Sequence, residues 1–321
     1  MTLEILEYDQ VDPKQVLALN LFSLGYALDA ARVAAMRERE ARLTPFVALY
    51  GVHGGKVLGQ VGVLETTVET ASGPERFGAL WAVATHPDAA RQGTAEALVE
   101  EAHRRMRKRG LRWSFLTTSR SLVAHGLYLK SGYVDGVDLG QAVAGDAANE
   151  QPPPDRGGEY ALVPGEEAQE PLIYSLYQRS VSGRLGFVHR PPGFIQGAVA
   201  AGDLSWEELF LVHRDSEPVG YAVVSRRRGH ACVRELRVLP GIEGVDVLMA
   251  VRRTFQAPVL YQNACTQDEL DGLRRAGFGQ AAAGWGTLMV KDLVASTDRR
   301  EVKALLGISS GLFTFGGLDA T

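Results

Sequence analysis

The sequence predicts an α/β protein built of two tandem domains, each a sheet flanked by helices. Three observations carry this. Residues 81–95, WAVATHPDAARQGTA, read as an apolar strand that ends at a proline and passes through a glycine turn into a helix. Residues 144–158, AGDAANEQPPPDRGG, hold three consecutive prolines and no apolar period, as a stiffened linker does. After that break the first half's order of elements starts again. At 321 residues the chain is also longer than one core usually organises.

Taken in order, residues 3–8 read as a strand, and 13–21 and 28–42 as helices. Residues 45–51 form a strand, and His53-Gly54-Gly55-Lys56 a hairpin turn into a long strand over 57–70. Alternation at Val61, Val63 and Leu64 is imperfect, as expected where both faces of a sheet are covered. Ser72-Gly73-Pro74 turns into a strand over 77–85. Pro87 has no N–H and disfavours the helical region for His86, so the strand should stop there.

From Thr94 the apolar residues Ala95, Leu98, Val99, Ala102 and Met106 fall at helical spacing. Glu96, Glu100 and Glu101 precede Arg104, Arg105, Arg107, Lys108 and Arg109, the sense the helix dipole favours, and Gly110 supplies a C-cap. A glycine turn at a helix start leaves several N–H groups aimed at one place, which suits a phosphate or pyrophosphate. Arg91 adds positive charge beside it. Taken alone, Gly93 serves equally as a tight turn. Residues 113–118 form the next strand and 119–131 a helix, and Gly132-Tyr133 open another strand.

Beyond the linker, 159–163 read as a strand and 166–182 as an amphipathic helix with Pro171, Leu172, Leu176 and Tyr177 on its apolar face. Residues 209–212 and 218–225 make a hairpin, and 231–239 a strand ending at Pro240. Then come a helix over 246–255, a strand over 259–263, a helix over 266–276, and a last strand from Gly277-Phe278. LRVLP at 236–240 matches VATHP at 83–87, and LRRAGF at 273–278 matches LYLKSGY at 127–133. Both matches lie about 150 residues apart, which indicates a second copy of one fold rather than a short repeat. The copy lacks the chemistry. Gly241-Ile242-Glu243-Gly244-Val245 puts an acid where a phosphate would sit, and Leu273 stands in the place of Tyr128. A packing or substrate-shaping role is expected of it.

The strand, the RQGTA turn at 91–95, the helix, the next strand and SLVAHGLYLKSGY at 121–133 together resemble the acetyl-CoA-binding core of the GNAT superfamily of N-acetyltransferases. In that family the turn reads Arg/Gln-x-x-Gly-x-Gly/Ala, and the later segment often reads Asn-x-x-Ala-x-x-x-Tyr-x-x-x-Gly-Phe. Gly93 and Ala95 match the turn, while Ala90 takes its first position and the arginine is displaced to Arg91. Ala124, Tyr128 and Gly132 match the second segment, with Ser121 and Tyr133 in place of Asn and Phe.

The resemblance implies two GNAT-like domains, each a central mixed, mostly antiparallel sheet. An acetyl-CoA-binding catalytic domain would span 1–142, a linker 143–158, a degenerate GNAT-like domain 159–293 and a tail 294–321. It also implies backbone groups of Val83, Ala84 and Thr85 along the pantetheine arm. Arg91, Gln92, Gly93, Thr94 and Ala95 would surround the pyrophosphate, with Ser121 among the cofactor-binding residues. Tyr128 would be the acid that protonates the departing thiolate. In outline the chain also resembles a tandem-domain, Eis-like branch whose members are longer, carry a sterol-carrier-like third domain and bring a terminal carboxylate into the active site.

An amine must be neutral to attack a thioester, and the leaving thiolate needs a proton. A tyrosine, with an ordinary pKa near 10, can give one at neutral pH. The plainer reading of Tyr128 is a core residue between Leu127 and Leu129, and Tyr133 is expected to pack. The base is open. No acid lies between Phe77 and Pro87. A histidine's unperturbed pKa suits a base, but His86, before Pro87, also suits a loop cap. Glu65 and Glu69 lie on the preceding strand, and water is an alternative. The apolar, glycine-rich tail SGLFTFGGLDAT should dock somewhere, offering Asp319 or the Thr321 terminus; packing on the second domain is its simpler role.

Composition narrows the rest. With 45% hydrophobic and 22% charged residues, the chain has the make-up of an ordinary soluble protein. A net charge of −4 argues against nucleic acid as the main partner. The basic runs at 104–109 and 226–228 read as a solvated helix end and a hairpin turn. Cys232 and Cys265 are too few for a disulfide scaffold, and neither they nor the histidines show metal-ligand spacing. Neither Ser nor Cys sits in a nucleophile elbow. The opening MTLEILEYDQ lacks a basic and an apolar region, and no apolar run approaches bilayer length, so a cytoplasmic protein without membrane or metal is expected. The function expected is transfer of acetyl from acetyl-CoA to a small-molecule or peptide amine by direct attack in a ternary complex, with a homo-oligomer left open. A non-catalytic acyl-CoA-binding or scaffold protein of the same fold is the alternative.

Overall fold

Local turn chemistry sets the frame of a computed structural model that describes residues 3–145 and 160–319, with the backbone alone for 280–285. The strand β1 (Glu4–Glu7) and helices α1 (Pro13–Ser23) and α2 (Ala30–Arg39) precede the hairpin of β2 (Leu43–His53) and β3 (Lys56–Thr70). His53 pairs with Lys56 across Gly54 and Gly55, whose φ values of 56° and 75° suit the tight turns that match strand twist. The next strand, β4 (Gly73–Thr85), starts earlier than its apolar pattern suggests, because Thr70 and Gly73 already pair across the turn. Then follow α3 (Thr94–Lys108), β5 (Trp113–Ser119), α4 (Val123–Lys130) and β6 (Val134–Ala144).

The second half runs β7 (Tyr160–Pro164), α5 (Glu170–Ser180), α6 (Phe194–Ala201), β8 (Leu209–Arg214), β9 (Glu217–Arg227), β10 (His230–Val238), α7 (Gly244–Phe255), β11 (Val259–Ala264), α8 (Gln267–Arg275) and β12 (Gly279–Asp292). A last helix, α9 (Arg299–Leu305), lies in the segment read as tail. Neither α6 nor α9 is foreseen by the sequence pattern. FIQGAVAA is a poor helix former by itself, and α6 is held by tertiary packing on α2. There Gly197 lets the helices approach closely: a Cβ would lie a tight 3.1 Å from the Arg39 carbonyl.

All strands join one sheet in the order β1-β2-β3-β4-β5-β12-β6-β11-β10-β9-β8-β7. Among the described residues, β4/β5 and β10/β11 pair in parallel and the other neighbours antiparallel. The order is nearly a palindrome, but the final strands of the two halves have changed places. Gly286–Asp292 of β12 pairs with β5, and β6 pairs with β11. A cut between 142 and 159 therefore does not separate two sheets. β6 itself continues to Ala144, and residues 146–159 of the expected linker lie outside the described residues.

Helices cover both faces. Leu98, Val99, Ala102 and Met106 of α3 are buried with Val61, Val63 and Leu80 of the sheet, as their spacing requires. Residues of α1 and α2 form a further cluster with Val47, Ala48 and Tyr50, while α7 and α8, and α5 and α6, pack on the second half. The tail docks. Phe313 and Phe315 are buried, and Phe315 meets Phe115 edge-on at 6.2 Å; such burial contributes about 1.5–3 kcal/mol per side chain. Among the described residues no helix is long and apolar enough to cross a membrane.

Candidate active site

The sheet opens where β4 leaves β5. These strands pair only at Phe77–Ala79 against Trp113–Phe115, after which β4 runs on to Thr85 and β5 to Ser119 with no ladder between them. On its other side β4 carries a bulge. Gln60 faces Ala84 and Gly62 faces Trp81, so Ala82 and Val83 together oppose Val61. Ala82 has φ 48°, a left-handed step that a side chain disfavours. The fully buried Gln60 holds it by donating its side-chain amide to the Ala82 carbonyl at 3.1 Å. Gln60 and buried Asn20 also exchange amide hydrogen bonds of 2.8 and 2.9 Å. Sequence reasoning missed both residues. The available signal was a glutamine interrupting the apolar run over 57–64.

The glycine turn lies at the end of the same strand. Gly93 has φ 81° at the start of α3, with open space where a Cβ would project. The first-turn N–H groups have no intrahelical acceptor. Arg91 and Gln92 are exposed, Arg91 at φ 61°, and Gln92 donates to the Asp88 carbonyl at 2.8 Å. Ala95 is half-buried. Thr94 is different. Its side chain is buried toward Gly51 and Gly59, where an added Cβ would come within 3.3 and 2.9 Å of its methyl group, so only its backbone is left for the turn.

Tyr128 is buried on α4 in the cluster that holds Leu98 and Leu116, with Val83 packed against it. Burial pushes its hydroxyl up to about 12, so it stays protonated. Its ring meets Tyr133 edge-on at 5.9 Å. Tyr133 packs, its hydroxyl bonded to Ser114 at 2.7 Å and to His103 at 2.9 Å. Ser121 is exposed in the β5–α4 connection, its Oγ 2.8 Å from that of Ser119.

The candidate bases are dispersed. His86 accepts from the Asp88 N–H at 3.2 Å and so caps the turn after β4, with Phe22 edge-on at 6.0 Å. Glu65 faces Gly78 and is bonded to Arg76 and Arg109. Glu69 faces Pro74, 2.7 Å from His189 Nε2. Both lie along the hairpin away from the bulge. Asp319 is fully buried and takes Arg190 hydrogen bonds at 2.9 and 3.1 Å, while Arg190 grips Glu235 at 2.8 and 2.7 Å. Burial opposes both charges. Arg190 and the Tyr221 hydroxyl outweigh it at Glu235, which is held below the ordinary range; at Asp319 burial prevails and the carboxyl is raised. Thr321 lies outside the described residues.

A cavity of roughly 340 Å³ adjoins the bulge. Trp81, Ala82, Leu24, Tyr26, Leu28 and Met36 line it from the first half, and Ala198, Ala201, Asp203, Arg234 and Leu318 from the second. The second half repeats the opening, since β10 and β11 pair only over 231–233 and 259–261. There, however, Glu243 occupies the start of α7, and Arg237 Nη1 donates to Thr314 of the docked tail at 2.8 Å. Leu273, in the place of Tyr128, is core. Among the described residues no group of three His, Cys, Asp or Glu is placed to hold a metal ion.

Residues 15–133 match the model of the acetyltransferase (GNAT) family. The fold is shared with solved GNAT structures. A GCN5-related N-acetyltransferase from Anabaena variabilis superposes with a TM-score of 0.67 at 13% identity, over 91% of this chain and 73% of that one. A conserved protein of unknown function from Enterococcus faecalis, described as a probable N-acyltransferase, gives 0.66 at 13% identity over 94% and 74%. Eis1 from Mycobacterium abscessus gives 0.59 at 15% identity over 91% and 74%, so the likeness to the Eis branch is one of fold. No curated protein matches the chain in sequence. The first half thus carries a segment that matches the GNAT acetyltransferase family model, and the chain as a whole shares the fold of these structures.

Proposed function

We propose that the chain transfers acetyl from acetyl-CoA to a primary amine within a ternary complex, its first half catalytic and its second a degenerate tandem copy. One observation supports this above the others: the β4/β5 opening, the bulge at Ala82 and the helix start at Gly93 fall on one strand end. The opening fits a pantetheine arm running past backbone groups of Val83, Ala84 and Thr85. The turn from Arg91 to Ala95 fits a pyrophosphate, with Thr94 acting through its N–H and Ser121 at the mouth. The cavity behind Trp81 and Ala82 fits the acceptor.

The amine enters the reaction neutral, and its lone pair forms the new N–C bond as the C–S bond breaks. The thiolate takes the proton of Tyr128, and the surplus proton of the amine leaves to a base or water. Tyr128 then recovers a proton from solvent. We place this chemistry in the cytoplasm, with a small-molecule or peptide acceptor and no metal.

The committed hydrogen bonds of His86, Glu65, Glu69 and Asp319 favour a second reading, a non-catalytic acyl-CoA-binding protein. Thiol release from acetyl-CoA, followed with a panel of amines, separates the two. Amine-dependent release supports the enzyme. Tight CoA binding with no release for any amine supports the binding protein.

A further inference from the structure

The cavity beside Ala82 is built by both halves, and its charges are unequally satisfied. Glu40, Arg42, Asp203 and Arg234 line it. Arg42 is committed to Glu40 by a two-pronged pair of 2.8 and 2.7 Å and lies over the Phe194 ring at 4.5 Å. Arg234 donates to the backbone carbonyl of Asp203 and lies 3.8 Å from Glu208. The Asp203 carboxylate, by contrast, has no ion-pair or hydrogen-bond partner among the described residues. Arg234, Arg42 and Arg32 lower its pKa from a distance and Glu40 raises it, but desolvation dominates, and its carboxyl rises from the ordinary range. Asp203 is nonetheless exposed at the cavity's edge, so a ligand can reach it from solvent.

We propose that Asp203, supplied by the second half, receives the ammonium group of the acceptor, which is a monoamine with an apolar body and no carboxylate. This rests on the acetyl-transfer reading for the identity of the cavity's occupant. The rest of the lining supplies the class. Leu24, Leu28, Met36, Leu64 and Trp81 offer apolar contact, the usual make-up of a small-ligand site with a few placed polar groups. An amino acid would also need a cation for its carboxylate, and the two arginines that line the cavity, Arg42 and Arg234, are already engaged. A charge-assisted hydrogen bond from the ammonium would satisfy Asp203. Release of that proton to the carboxylate, with the N–H electron pair left on nitrogen, gives the neutral amine that attack requires.

The test is a binding measurement without acetyl-CoA, using 2-phenylethylammonium, 2-phenylethanol and phenylalanine as probes. Wild type should bind the ammonium at least about tenfold more tightly than the alcohol, and phenylalanine more weakly than the ammonium. Asp203→Asn should abolish the preference for the cation while keeping the alcohol's affinity, which also shows the cavity intact, and Asp203→Glu should restore part of it. Equal binding of ammonium and alcohol by wild type, or a preference that survives in Asp203→Asn, overturns the proposal. Tighter binding of phenylalanine overturns the class. Cation binding through Asp203 in a protein that acetylates no amine would sink the acetyl-transfer reading and leave the site standing.

Discussion

Gln60 fixes the backbone of Ala82. A side-chain amide on one strand holds the carbonyl of a left-handed step on the next, and Asn20 of α1 holds that amide in turn. The bulge is therefore tied to the helix layer above it rather than left to the strand alone.

Gln60→Leu should loosen this step. It strips the Ala82 carbonyl of its side-chain donor and leaves Asn20 facing a methyl group, and a buried polar group without a partner costs about 1–3 kcal/mol. Chemical denaturation should show a loss of that order. Turnover should fall while CoA binding, read by calorimetry, persists. Wild-type turnover would show that the bulge stands without Gln60.

Gly93→Glu should abolish CoA binding with the fold intact by circular dichroism. The substitution meets no protein atom, but it forces a side chain onto a φ of 81° and puts a negative charge at the helix start. Retained binding, or a native stoichiometry of two CoA per chain, would refute the assignment to the first half.

Tyr128→Phe keeps the ring that packs among Leu98, Leu116 and Tyr133 and deletes only the hydroxyl. The rate should fall on the order of 10²–10⁴-fold, the range for a lost general acid, with CoA affinity little changed. Because burial holds the hydroxyl up to about 12, wild type should show no alkaline limb from this residue below pH 11. Unchanged kcat would return Tyr128 to the core.

His103 should make the fold acid-sensitive. Burial, aided by Lys291 and Arg107, lowers its pKa to about 3 from an ordinary 6.5. The unfolded chain therefore takes a proton below pH 6.5 that the folded one refuses until about 3. The associated stability is complete above 6.5 and falls with pH, by about 2 kcal/mol at pH 5. His103→Leu should flatten the loss between pH 7 and 5, since Tyr133 keeps its bond to Ser114. An identical pH slope in the variant would clear His103.

Asp319→Asn separates a base from a structural ion. The residue shares Arg190 with Glu235 in the interior, so the expected loss is stability, up to the 3–5 kcal/mol range of a broken buried pair. At temperatures where the variant is folded, its pH–rate profile should match wild type. A profile shifted on its acidic side would make Asp319 the base after all.

What the sequence disclosed follows periodicity and turn chemistry. The strand-to-helix passage at Gly93 and the hairpin at Gly54-Gly55 are local, and they stand where the residues place them. Long-range features left no local trace. Nothing in residues 279–292 says that they pair with β5 rather than with β6 alone, because pairing partners are chosen by the whole sheet. Helix α6 depends on its contact with α2, and the role of Gln60 shows only once its side chain is seen to reach the Ala82 carbonyl on the next strand. Thr94 points inward because Gly51 and Gly59 leave room for it, a fact spread over three elements. Asp203, in a segment without pattern, gains its meaning only where the two halves meet.

The exchange of β6 and β12 has a consequence for how the molecule is made. A ribosome delivers the first half long before the strand that closes its sheet, so a nascent chain carries β5 as an open edge until residues 279–292 emerge. The half that holds Tyr128 thus waits on a strand from the second half, and the contacts that close its sheet span more than half of the 321 residues. A fragment ending at the linker would be no miniature of the whole, but a sheet exposing a vacant flank to the next chain it meets.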